Sequence, residues 1–75
     1  MMKTYAEFLR GYISKKGDLL SPQESQYPHW VFAIKKSPPD FGTAKLVSIG
    51  KDYAEFEIGN GLRFVPLNML VLEVE

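Results

Sequence analysis

Tyr53-Ala54-Glu55-Phe56-Glu57-Ile58-Gly59-Asn60-Gly61-Leu62-Arg63-Phe64 consists of two alternating runs around a turn, and its reading decides the fold. Alternation of apolar with charged residues marks a strand with one face in a core, and the turn fixes which residues meet across the pair. A two-residue turn at Asn60 and Gly61 sets Ile58 against Arg63 and Glu57 against Phe64, mixing apolar with charged on both faces. A three-residue loop from Gly59 to Gly61, with Gly61 left-handed, sets Ile58 against Leu62, Phe56 against Phe64 and Glu57 against Arg63. Every pair is then matched, and this is the expected register. It turns Ala54, Phe56, Ile58, Leu62 and Phe64 inward, and Tyr53, Glu55, Glu57, Arg63 and Val65 outward.

Working outward from the hairpin, Gly50, Lys51 and Asp52 form a tight turn, preceded by a strand over about 43–49. Before it lies a loop over 37–42 with Pro38 and Pro39, and a first strand, Trp30 to Ile34, rich in β-branched and aromatic residues. On the other side Pro66 ends the strand, Leu67 to Leu70 suits a 3₁₀ turn, and Val71 to Glu75 alternates as a last strand. Tyr5, Phe8, Leu9, Tyr12 and Ile13 recur at the spacing of one helical face, which predicts a helix over 4–16. Thr4 and Glu7 can form its capping box, and Gly17 its left-handed stop. Residues 18–29 have no period, and Ser21-Pro22 and Tyr27-Pro28 interrupt any regular element, so they read as a connecting arm. The expectation is one mainly β domain over 1–75: an N-terminal α-helix, the arm, and a five-stranded antiparallel small β-barrel over 30–75.

With 75 residues, 45% of them hydrophobic and 24% charged, the chain suits one packed domain. Nine basic residues against nine acidic leave no net field toward nucleic acid or anionic lipid. The absence of cysteine excludes disulfides, thiolate nucleophiles and cysteine-ligated zinc. The longest apolar runs, Trp30 to Ile34 and Met69 to Leu72, fall far short of the ~20 residues that span a bilayer, and no signal-peptide core follows Lys3. A cytoplasmic protein without a membrane partner is expected.

Few residues suggest chemistry. His29 is the single histidine and reads as a half-exposed residue at a strand start. Glu55 and Glu57 stand two apart on a strand, on a solvated face beside Arg63. The glycines at 59 and 61 are followed by no lysine or helix that would hold a phosphate. No catalytic group, cofactor or metal site is therefore expected. Charge is uneven along the chain, +3 over residues 1–45 (seven basic, four acidic) and −3 over 46–75 (two basic, five acidic). Lys15, Lys16, Lys35 and Lys36 would form one basic patch if the helix end lies near the first strand, which suits a phosphate backbone. The plainer reading is solubility and pairing with the acidic half.

Lys51-Asp52-Tyr53-Ala54-Glu55-Phe56 resembles the aspartate-Trp-Trp-Glu segment of Src-homology-3-type barrels. Phe64-Val65-Pro66-Leu67-Asn68-Met69-Leu70 resembles the same family's hydrophobic-Pro-Ser-Asn-Tyr-Val segment. The likeness covers about residues 50–72, with Tyr53 where the family has tryptophan and Met69 where it has tyrosine. It implies a Src-homology-3-like barrel and a peptide groove formed by Tyr53, Pro66 and Met69, supported by Asn68. Trp30 and Phe41, aromatics outside the inferred core, would border that surface if exposed, although for each singly the plainer reading is that it plugs the barrel or the arm. The expected function is a non-catalytic interaction module or accessory subunit that binds a peptide or protein partner. The competing view of these residues is that Met69 belongs to the core and Tyr53 covers the barrel's side. A helix before a five-stranded barrel also resembles the Sm-like RNA-binding fold, with the lysines at 15, 16, 35 and 36 as the contact surface. Glu73 and Glu75 on the last strand discourage edge pairing, so a monomer or weak dimer is expected.

Overall fold

The structure, a computed structural model, describes residues 3–25, 28–35 and 42–75. Thr4 and Glu7 form the expected capping box at the start of helix α1 (Tyr5–Arg10). The helix stops at Arg10 instead of continuing to 16: Gly11 is its C-cap, and turns follow until Ser14 reverses the chain at φ 79°. Only Leu9 of α1 is fully buried, with Tyr12 packed beside it against the core. Phe8 and Ile13, expected on the buried face, are exposed.

The segment read as a connecting arm carries regular structure. Strand β1 (Lys16–Leu20) begins directly after the turns, so Gly17 is a buried strand residue and not a helix stop. A single turn of helix, α2 (Pro22–Ser25), follows; the Ser21 N–H donates to Glu24 Oε1 at 3.1 Å, and the Glu24 N–H donates to Ser21 Oγ at 3.4 Å. Then come β2 (Trp30–Ile34), β3 (Ala44–Ile49), β4 (Tyr53–Ile58), β5 (Gly61–Pro66), a 3₁₀ turn (Leu67–Met69) and β6 (Leu70–Val74). These later strands and the 3₁₀ turn fall where the alternation places them, within one residue.

The sheet order is β5-β4-β3-β1-β2-β6. Two features depart from a five-stranded antiparallel barrel. β1 adds a strand by pairing through Lys16 and Gly17 with β3 and through Asp18 to Leu20 with β2. β6 runs parallel to β2, Trp30 opposite Leu70 through Ile34 opposite Val74. The result is an open six-stranded mixed sheet with β5 and β6 as its edges. Its inner face holds Phe32, Leu46, Ala54, Phe56 and Val65 with Leu9 and Leu70, and the Phe32 and Phe56 rings meet edge to face at 4.8 Å.

The β4–β5 hairpin takes neither register weighed from the sequence. Its turn is the two residues Gly59 and Asn60, with φ +60° at Gly59, the first-position glycine of a type II′ turn. Ile58 therefore stands opposite Gly61, Phe56 opposite Arg63, and Glu55 opposite Phe64. This shift by one residue turns Phe64 and Leu62 out and Val65 in: Phe64 is 58% exposed and Val65 1%. Tyr53 faces outward as expected.

Tyr5 ties the helix to the sheet, its hydroxyl donating to the Leu70 carbonyl at 2.8 Å. Burial pushes its pKa above the ordinary 10.0, partly opposed by the backbone at Leu72. Because the folded pKa is raised, the folded state favours the neutral phenol. The associated stability is present below about pH 10 and is lost as pH rises through the folded value. Urea melts between about pH 9 and 11 are expected to show wild type losing more stability than Tyr5→Phe. Parallel pH profiles of the two would show that Tyr5 ionises as freely in the folded chain as in the unfolded one.

Candidate functional site

The outward face of the hairpin is set by the register. In cross-strand rows it reads Glu57 beside Leu62, Glu55 beside Phe64, and Tyr53 beside Pro66. The Tyr53 and Phe64 rings meet edge to face at 5.7 Å and 65°, although Tyr53 is 40% and Phe64 58% exposed. Leu62 is 56% exposed. Tyr53 is also held from the other side, because a β-carbon on Gly50 would overlap its ring, and the Gly50 N–H donates to the Tyr53 carbonyl at 2.8 Å. An aromatic pair fixed in this way presents apolar area with little rotamer entropy left to lose on binding.

Asn68 and Met69 lie in the 3₁₀ turn, both exposed. That turn is tied to the start of β4, where the Leu67 N–H donates to the Asp52 carbonyl at 2.9 Å. Tyr53 and Pro66 are thus direct neighbours, and the turn carrying Met69 begins beside them. Met69 is 37% exposed and lies outside the buried core cluster.

Trp30 is placed differently. It packs against the core, and Arg63, on the inner side of β5 with Phe56, sets its guanidinium 5.5 Å from the Trp30 ring centroid. Trp30 and Arg63 close the inner side of the sheet and do not border Tyr53. Ser21's backbone and hydroxyl hold the Glu24 carboxyl below its ordinary range, and Arg63 adds a smaller pull. Phe41 lies outside the described residues, as does Lys36. Lys15 and Lys16 stand at the start of β1, Lys35 just past the end of β2, and Lys16 is the cross-strand partner of Lys45.

Sequence reasoning missed Leu62 and Phe64, which it assigned to the core; the Gly59-Asn60 pair, with glycine first, carried the signal for the actual turn. Among the described residues no three His, Asp or Glu side chains converge as metal ligands, and no helix is long and apolar enough to cross a membrane. No family model, curated protein or solved structure matches the chain.

Proposed function

We propose that the chain is a non-catalytic interaction module, or an accessory subunit, that binds a protein partner on the outward face of the β4–β5 hairpin. The observation that carries this reading is the exposed, braced pair of Tyr53 and Phe64, continued by Leu62 and Pro66. Large apolar side chains held rigid at the surface are a usual source of binding energy, and an exposed run of them is costly without such a role. The β3–β4–β5 meander and the 3₁₀ turn after it are in keeping with a likeness to Src-homology-3-type barrels over the C-terminal half, while the parallel strand β6 departs from it. Glu55 and Glu57 on the same face favour a partner with basic residues.

Tyr53→Ala is expected to cost less than ~1 kcal/mol of stability, yet to weaken the complex with the natural partner at least tenfold. Co-precipitation from the host, quantified for wild type, Tyr53→Ala and the exposed control Lys51→Ala, reads this directly. A partner held equally by all three would remove the face from consideration. The adjacent Lys16 and Lys45 favour a second reading, binding of a phosphate backbone. Titration with single-stranded RNA separates the two, since phosphate contacts weaken steeply with salt and an apolar face does not. Tight, salt-sensitive binding would reverse the ranking.

A further inference from the structure

We propose that the free edge of β5 takes up an extended peptide as an added strand, and that this peptide alternates apolar residues with arginine or lysine. The inference rests on the partner-binding reading of the same face and adds the mode of binding and the chemistry of the ligand.

The backbone makes the first part of the argument. β5 ends the sheet, and among the described residues no strand pairs with its far side. The Tyr53 carbonyl is engaged toward β3 by the Gly50 N–H, so strand alternation directs the backbone groups of Ala54, Phe56 and Ile58 toward β5. Their partners Val65, Arg63 and Gly61 are the residues of β5 bonded to β4. A two-residue turn gives the same phase, since the residues flanking it form a hydrogen-bonded pair. Leu62 and Phe64 therefore direct their N–H and C=O groups to the open edge. Pro66, without an N–H, closes the far end. The residues that offer free backbone groups are the same two that offer exposed apolar side chains, which is the combination strand addition uses for affinity and specificity.

The side chains identify the occupant. An added strand lies ~4.8 Å from β5 and roughly 10 Å from β4. Apolar side chains on its outward face meet Leu62 and Phe64. An arginine or lysine there lays its stem across those residues, sets its cation near the Phe64 ring and reaches the carboxylates of β4. Lys45 stands opposite Glu57 on the β3 side. Glu55 has Ser48 and Phe64 as row neighbours and accepts a hydrogen bond from Ser48 Oγ at 2.7 Å, which orients its carboxylate, and Glu57 is the more exposed of the two carboxylates in reach of a ligand cation. A shallow depression lined by Glu57, Asn60 and Leu62 at the hairpin tip offers a second seat. A second copy of the chain is a poorer occupant. The one charge on β5, Arg63, is drawn back over Trp30, so self-pairing brings no cation to the acidic face.

The test uses the full chain, isotope-labelled, and a synthetic peptide of alternating valine and arginine. Binding is expected to slow hydrogen exchange at the Leu62 and Phe64 amides at least tenfold while leaving Arg63, already bonded to β4, unchanged. A valine–glutamate peptide is expected to bind at least tenfold more weakly. Leu62→Pro removes an N–H that faces solvent, so it should abolish peptide binding, whereas Leu62→Thr, which keeps the N–H, should retain most of it. Should Leu62→Pro fail to fold, exchange on the wild type decides alone. Binding without protection at Leu62 and Phe64 would overturn strand addition, and so would protection that appears without peptide and grows with protein concentration, the mark of a second copy. If the valine–arginine peptide does not bind while the natural complex still depends on Tyr53, the inference fails and the partner-binding reading stands.

Discussion

Phe56→Ala should cost about 3–5 kcal/mol of stability while Phe64→Ala, eight residues away on the same hairpin, costs about 1 kcal/mol. The difference follows from the register. Phe56 is fully buried and its ring packs edge to face on Phe32, so truncation removes both transfer energy and a central aromatic contact. Phe64 is 58% exposed and loses mainly its contact with Tyr53. Had the loop taken three residues, the two phenylalanines would be cross-strand partners inside the core and the two losses would be comparable. Urea melts of the two variants measure this, and equal midpoint shifts would restore the register in which Phe64 points inward. For a domain of this size, the loss at Phe56 is a large fraction of total stability, so that variant should be partly unfolded at ambient temperature.

The legible parts of the chain were those whose pattern is local. Trp30–Ile34 and Tyr53–Ile58 emerge at the bounds that β-branched and aromatic enrichment predicts, and the Thr4–Glu7 capping box forms as its spacing requires. β1 was not legible because Lys16-Gly17-Asp18-Leu19-Leu20 has neither alternation nor β-branched residues. It is a strand because β3 and β2 occupy its two sides, a tertiary cause that no window of sequence contains. The parallel pairing of β6 with β2 is hidden for the same reason, since it joins segments 40 residues apart in register.

The candidate site was half legible. Tyr53 and Pro66 were expected on one surface, and they are direct cross-strand partners. The error lay in one turn residue. With Gly61 left-handed, Phe64 falls inside; with Gly59 at φ +60°, it falls outside and joins Tyr53. Because side chains alternate with period two, this single residue moves all of Leu62, Arg63, Phe64 and Val65 to the opposite face. Trp30 had two readings, a border of the site or a plug of the core, and it packs against the core with Arg63 over its ring.

Gly17→Ala is expected to destabilise the protein by about 3 kcal/mol or more. Gly17 sits where β1 passes from pairing with β3 to pairing with β2, and its backbone is hemmed in on both sides. A β-carbon there would overlap the Ala33 carbonyl and lie 3.1 Å from the Phe32 ring, while a β-carbon on Gly42 would overlap the Gly17 backbone. The obstructing atoms are main chain held in the sheet, so no rotamer change relieves the overlap and the strands themselves must separate. Gly61→Ala is the matched control: its nearest atom is the Ile58 carbonyl oxygen at 3.9 Å and its φ is not positive, so it should stay within about 0.5 kcal/mol of wild type. The pair also tests the architecture, because Gly17 is constrained only if β1 runs between its two neighbours. A Gly17→Ala variant as stable as wild type in urea would mean that β1 does not occupy that place, and the six-stranded order would have to be redrawn around residues 16–20.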